Sequence, residues 1–275
     1  MGVGPAPTLR LDSFRERDGL VTAGAYAAGA AAASAAVAVG VALVAYGWKE
    51  VGWVLTTPGS LGVMRTLGTT ALIVVIALPT VFVAGVFAAA SANDPSIGSM
   101  AGKALRESLE WSSGIPPVVV GAAVFFCVMA LHAQNTILTA AVALILLNLP
   151  NATARFSRAF GMVPRQTRDA AAALGASPAA SFFGLLAPSA AWAIASAFLT
   201  LAAQMIGETS AITIAISASF GPEPLSVKIW HFASNRSLAG TEASACIVLV
   251  FLIGILLALS RACLRRNVES LATPQ

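Results

Sequence analysis

The sequence predicts an all-α, polytopic membrane protein with six transmembrane helices. Three observations carry that prediction. The chain has 275 residues, 57% of them hydrophobic and only 10% charged, where a soluble domain carries about 25% charged residues; its mean hydropathy is +0.83. The apolar residues gather into six runs, at about 21–47, 67–90, 115–131, 137–149, 188–216 and 243–259, most of them close to the ~20 residues a helix needs to cross hydrocarbon. The basic residues fall between the runs, and unevenly. Lipid offers no partner to a free sheet edge, so spans of this kind are helical.

Residues 1–19 are polar and form an N-terminal tail, followed by an apolar membrane domain over 20–266 and a short polar tail at 267–275. The first run is longer than the ~7–15 residues of a signal-peptide core, which favours an uncleaved first helix. Its alanines, interrupted by Ser34, offer a smooth face for close helix packing. Trp48 and Trp53 bracket Lys49 and Glu50, an interfacial anchor pattern. Gly59-Ser60-Leu61-Gly62 is a loop into the second run, which Pro79 should kink. Asn93-Asp94-Pro95-Ser96 is a turn opening a polar segment that ends near Glu110. Pro116 and Pro117 open the third run, where proline suits a first helical turn. A short link at His132–Thr136 leads to the fourth run, which is short enough for a buried or tilted segment and is expected to end at Asn148, Pro150 and Asn151.

A basic loop follows, at about 155–188. Gln166–Leu174 should be helical because alanine is the best helix former. Gly175 should cap its C-terminus, and Ser177 should cap a second short helix with Pro178 at its first position. The fifth run should then form one helix. In it Ser196, Thr200, Gln204 and Glu208 recur every four residues, a slowly winding polar stripe. A charged residue at mid-bilayer costs roughly 2.5–3.5 kcal/mol on insertion scales, so Glu208 should face a partner helix or a wet path. The stripe either glues helices together or lines a translocation path; the carboxylate favours the path.

Placing both termini inside puts 12 of the 16 basic residues on the cytoplasmic side: Arg10, Arg15, Arg17, Lys103, Arg106, Arg155, Arg158, Arg165, Arg168, Arg261, Arg265 and Arg266. The positive-inside rule favours this orientation in a plasma or inner membrane of bacterial type. These charges edge the spans instead of clustering on one domain, which argues against nucleic acid as a partner and for lipid. Cys127, Cys246 and Cys263 form no CxxC pair and read as small packing residues. His132 and His231 stand alone, without metal-ligand spacing, and no nucleophile constellation marks the chain as an enzyme.

The basic loop resembles the EAA loop of importer-type ABC permeases: Glu-Ala-Ala, three residues, Gly, nine residues, then Ile-x-Leu-Pro. Here it reads Asp169-Ala170-Ala171, Gly175 and Leu185-Leu186-Ala187-Pro188. A narrower resemblance is to permeases of the phosphate-specific transporter (Pst) family. Gly207-Glu208-Thr209 resembles their Gly-Glu-Thr, Ser113-Gly114-Ile115-Pro116 their Ser-Gly-Val-Pro, and Met162-Val163-Pro164 their Leu-Val-Pro. The likeness covers about 68–266. The short outer segment after the first run is closer to the A-type permease, which is favoured, while 207–213 is similar to the C-type. Two features depart from the family. Gln204 stands where an arginine is usual, and Ala154 where a basic residue is, with Arg155 beside it.

The resemblance implies a type I importer permease fold and an ATP-driven uptake of inorganic phosphate or a related oxyanion. It implies that Glu208, Gln204, Thr209, Thr200 and Arg155 line the path. It implies that Asp169, Ala170, Ala171, Gly175 and Pro188 couple it to an ATPase. The partners it implies are a second permease in a heterodimer, a cytoplasmic ABC ATPase dimer and an extracytoplasmic substrate-binding protein. ATP and Mg would sit on the ATPase, because this sequence has no phosphate-loop motif of its own; no cofactor is expected on this chain. The missing cations leave Arg155 or the partner permease to hold the anion, or else another oxyanion such as molybdate, tungstate or sulfate, or an impaired copy. The rival class is an ion-coupled secondary transporter, which would also use intramembrane acids but usually shows internal repeats.

Overall fold

The computed structural model describes residues 63–93, 107, 114–217, 219–234 and 239–272, with 31, 34, 37–45 and 47–52 ahead of them. Most of the first run, Trp53, the 59–62 loop, 94–96 and Ser113 lie outside the described residues. Regular structure among those described is helical. The helices are α1 (Val63–Asn93), α2 (Pro117–Ala130), α3 (Thr136–Gly161), α4 (Arg165–Ala173), α5 (Pro178–Ser181), α6 (Ala187–Ser189), α7 (Ala191–Gly207), α8 (Ser210–Ala215), α9 (Leu225–Ala233) and α10 (Ala239–Ala272). Part of the first run is helical at 37–45.

Three of these, α1, α3 and α10, are long and apolar enough to cross a membrane, and a bent pair at 179–207 would make a fourth. The chain is thus a multi-pass membrane protein. The third run yields α2, 14 apolar residues, shorter than a full span; it begins at Pro117 as its proline signal required. α1 starts earlier than expected and continues unbroken through Pro79.

The fourth run departs most from expectation. Asn148, Pro150 and Asn151 do not end it; α3 runs 26 residues to Gly161. The polar side chains fold back onto the helix: Asn148 donates to the Leu144 carbonyl at 2.9 Å and Thr153 to that of Leu149 at 2.9 Å. They therefore do not compete with the backbone in the way that usually stops a helix. Packing supplies the rest. Phe156 and Phe160 are fully buried, and Phe156 meets Phe82 of α1 edge-to-face at 5.4 Å. Gly85 lets α1 approach this closely, since a Cβ there would lie 2.9 Å from that of Ala152. The proline costs one backbone bond but sits inside this core. In consequence Arg155 and Arg158 ride on the last turns of α3, and the loop starts only after Gly161.

α3 is the central helix: half of its most apolar stretch is buried, against 22% for α10. Its start is capped by Asn135, whose side-chain oxygen accepts from the amides of Ile137 and Leu138, both at 3.1 Å. The core around it gathers Ile73, Leu144, Leu201, Met205 and Ile212. α2 packs on α8, where Gly121 meets the Ala211 backbone with no room for a Cβ. Thr70 of α1 caps α9 by accepting from the Leu225 amide at 2.8 Å.

Candidate functional site

The fifth run is not one helix. α7 ends at Gly207, Glu208 is extended (φ −70°, ψ 124°), and α8 begins at Ser210. The expectation that Glu208 continues the helical stripe is therefore corrected. The sequence explains the break: glycine is a weak helix former, and Glu208, Thr209 and Ser210 carry oxygens that bond locally instead. Glu208 Oε1 accepts from Ser210 Oγ at 2.8 Å and from the Ala211 amide at 3.3 Å, so the carboxylate caps α8. Its carbonyl, freed by the break, accepts from Ser226 Oγ of α9 at 2.9 Å. Thr209 Oγ1 donates to the Gly207 carbonyl at 3.3 Å. Glu208 and Thr209 are both half-buried. A carboxylate has about four acceptor positions, so these two bonds leave acceptor capacity on the half-exposed group.

The remaining stripe divides between two neighbours. Each four-residue step turns about 40° beyond a full circle, so the stripe rotates along α7. Ser196 and Thr200 face α10, each bonded to Ser260 Oγ at 2.8 Å. Gln204 has turned toward α3, where its Oε1 accepts from the Arg155 guanidinium at 3.3 Å. Ser196 and Thr200 thus join α7 to α10, and Gln204 joins it to α3. Gln204, which stands where the resembled family usually has an arginine, is in direct contact with Arg155, the neighbour of the other departing position, Ala154. Sequence reasoning missed Ser260 and Ser226; Ser260 is a small hydroxyl at the edge of the last apolar run, the kind of residue that joins packed helices, while Ser226 lies between runs.

The loop between α3 and α7 follows its sequence closely. α4 ends in a glycine cap: Gly175 has φ +77°, and the Ala176 amide bonds the Ala171 carbonyl at 3.1 Å, the geometry in which a left-handed glycine closes a helix. Ser177 Oγ accepts from the Ala180 amide at 3.2 Å, capping α5 with Pro178 first. A π-helical turn at Phe182–Leu186 leads into α6, and a 74° bend at Ala190 joins α7. Asp169, Ala170, Gly175 and Pro188 are exposed and Ala171 is half-buried. Leu174 stands out at 89% exposed, while Phe182 anchors the loop on Phe160 at 5.5 Å. Among the described residues no group of His, Cys, Asp or Glu could hold a metal ion.

No protein-family profile matches the chain, and no curated protein sequence does. Among solved structures, the chain is similar to a chain of the MetNI methionine ABC transporter in inward-facing conformations. The TM-score is 0.59 at 17% identity, covering 78% of this chain and 96% of that one. The fold is thus similar to that of this ABC-transporter chain, and the likeness shows the fold alone.

Proposed function

We propose that the chain is the transmembrane subunit of an ATP-driven ABC importer that forms the path for inorganic phosphate or a related oxyanion. The observation that carries this reading is the Gly207-Glu208-Thr209 break within an importer-permease fold, with the Arg155–Gln204 contact close before it in α7. Broken helices in membranes occur where the backbone lines a cavity or is covered by protein. Arg155 supplies the fixed positive charge for an anion, and Gln204 orients it. Glu208 supplies an acceptor for the hydroxyl of hydrogen phosphate, which sulfate lacks at neutral pH. Such a hydrogen bond can discriminate strongly.

On this reading six helices of a type I permease span the membrane with both termini inside. A second permease completes the path, an extracytoplasmic binding protein delivers substrate, and a cytoplasmic ATPase dimer holding ATP and Mg acts on Asp169, Ala170, Ala171, Gly175 and Pro188. Thr200 and Thr209 border the path. A second reading takes an amino acid as the substrate, the class handled by the methionine transporter whose fold this chain resembles.

Labelled uptake in a host lacking phosphate transport, with the neighbouring permease, ATPase and binding protein co-expressed, tests both. Phosphate uptake that needs ATP, persists with an uncoupler and resists excess sulfate supports the first. Methionine uptake without phosphate uptake supports the second, and gradient-driven uptake without the ATPase overturns both.

A further inference from the structure

The last turns of α10 hold the elbow at which the loop joins α7. Ala190 precedes α7 with φ −98° and ψ 8° and has no side chain able to cap it. In a straight helix the Ala193 amide would donate to the carbonyl four residues back, that of Ser189. Here it donates instead to Asn267 Oδ1 of α10, at 3.2 Å. Ala193 is 3% exposed and Asn267 is fully buried, so without that oxygen the amide would be a buried orphan, which is costly. The neighbouring Arg266 guanidinium lies over the Trp192 ring, 5.3 Å from its centre. Asn267 Nδ2 lies 4.0 Å from the sulfur of Met162, just past the end of α3. Two consecutive residues of α10 thus grip the second and third residues of α7 and the end of α3, around a 74° bend.

The geometry points to Asn267 as a positioning residue that keeps this elbow bent by taking the place of the Ser189 carbonyl. With the elbow held, a push on the α4–α6 loop moves α7 and α10 together. With it released, α6 and α7 can straighten and the push is absorbed at Ala190. The first half of this inference stands on the fold alone; the second rests on the importer reading.

The test compares wild type, N267A and N267D, each as the full chain in lipid nanodiscs and in the complex with its partner subunits. Hydrogen–deuterium exchange over 190–196 reads the elbow. N267A should exchange about fivefold faster, the effect of losing a typical helix cap, and N267D, which keeps an acceptor, should match wild type. Unchanged exchange in N267A, or N267D as fast as N267A, overturns the capping role. In the complex, N267A should hydrolyse ATP while moving several-fold less substrate per ATP, with N267D restoring the ratio. A normal ratio in N267A overturns the positioning role. If N267A does not fold, the double variant A193P/N267A carries the test. Proline at 193 removes the donor and forbids the straight helix, so the double variant should fold and couple normally, and a defective one refutes the mechanism. A wild-type chain that associates with no ATPase overturns the importer reading, and the exchange result then decides the role of Asn267 in the elbow.

Discussion

Glu208 caps α8 and, on the proposed reading, also accepts a hydrogen bond from the substrate; a pair of substitutions splits the two. Glu208→Gln keeps the length of the side chain and one acceptor oxygen but removes the charge. Glu208→Ala removes both. In the structure Oε1 accepts from Ser210 Oγ and from the amide of Ala211, and Ala211 is fully buried. A neutral hydrogen bond nets about 1 kcal/mol and one to a charged group about 1.5–3 kcal/mol. The carboxylate is half-exposed, so the lower end applies, and Glu208→Gln should cost about 0.5–1 kcal/mol of stability. Glu208→Ala leaves the Ala211 amide without its acceptor and should cost about 1–2 kcal/mol more, the range for a lost cap. Transport should rank differently. If the carboxylate accepts the phosphate hydroxyl, both variants lose a charged hydrogen bond. That loss converts to about a 10- to 100-fold fall in phosphate uptake or in its preference over sulfate, at about 1.4 kcal/mol per tenfold. Thermal unfolding in detergent, read beside competitive uptake, separates the two. Glu208→Gln with unchanged uptake and selectivity would make Glu208 a cap and nothing more. Glu208→Ala with wild-type thermal stability would refute the capping geometry itself.

Arg155→Gln should leave membrane insertion intact and lower anion uptake at least tenfold, while Arg155→Lys, which keeps the charge without the planar fork, retains more; equal uptake by all three clears Arg155 of any role in the path. Gly175→Val forces a Cβ onto a φ of +77°, and should cost about 1–2 kcal/mol locally; normal co-purification with the ATPase and normal uptake would separate the turn from coupling. Gly121→Leu places a side chain against the Ala211 backbone with no room for it, and should lower the thermal midpoint, as overpacking costs typically 1–3 kcal/mol; an unchanged midpoint would contradict the α2–α8 packing.

The elements that sequence reasoning placed best are those set by local chemistry. Proline at the start of α2, glycine after α4 and serine before α5 each act within a few residues of themselves, so their signals survive in any surroundings. The errors came where distant contacts decide. Asn148, Pro150 and Asn151 carry every local sign of a helix end, yet α3 continues because Phe156 and Phe160 are held in the core and the Asn148 and Thr153 side chains find carbonyls on their own helix. The elbow at Ala190 has no local sign at all: its acceptor, Asn267, is 74 residues away. The same holds for Ser260, whose hydroxyl serves Ser196 and Thr200 across 60 residues or more.

The stripe in the fifth run shows why a correct pattern can still mislead. Four-residue spacing places Ser196, Thr200, Gln204 and Glu208 on one side of an ideal helix, but about 40° of drift per step spreads them over two neighbours, and Gly207 ends the helix before Glu208 is reached. Gln204 is the last member of the stripe on the helix, and it has a partner on α3. A glutamine in place of an arginine, read alone, is a lost cation. Beside Arg155, its carbonyl oxygen holds a cation carried on α3 instead. On the proposed reading Arg155 then serves where the resembled family carries its cations at the positions of Ala154 and Gln204. Restoring the usual residue by Gln204→Arg would set two guanidinium groups against each other where one bond now stands. That variant should transport worse than the parent, and an uptake that rises with Gln204→Arg would show instead that the cation had been lost.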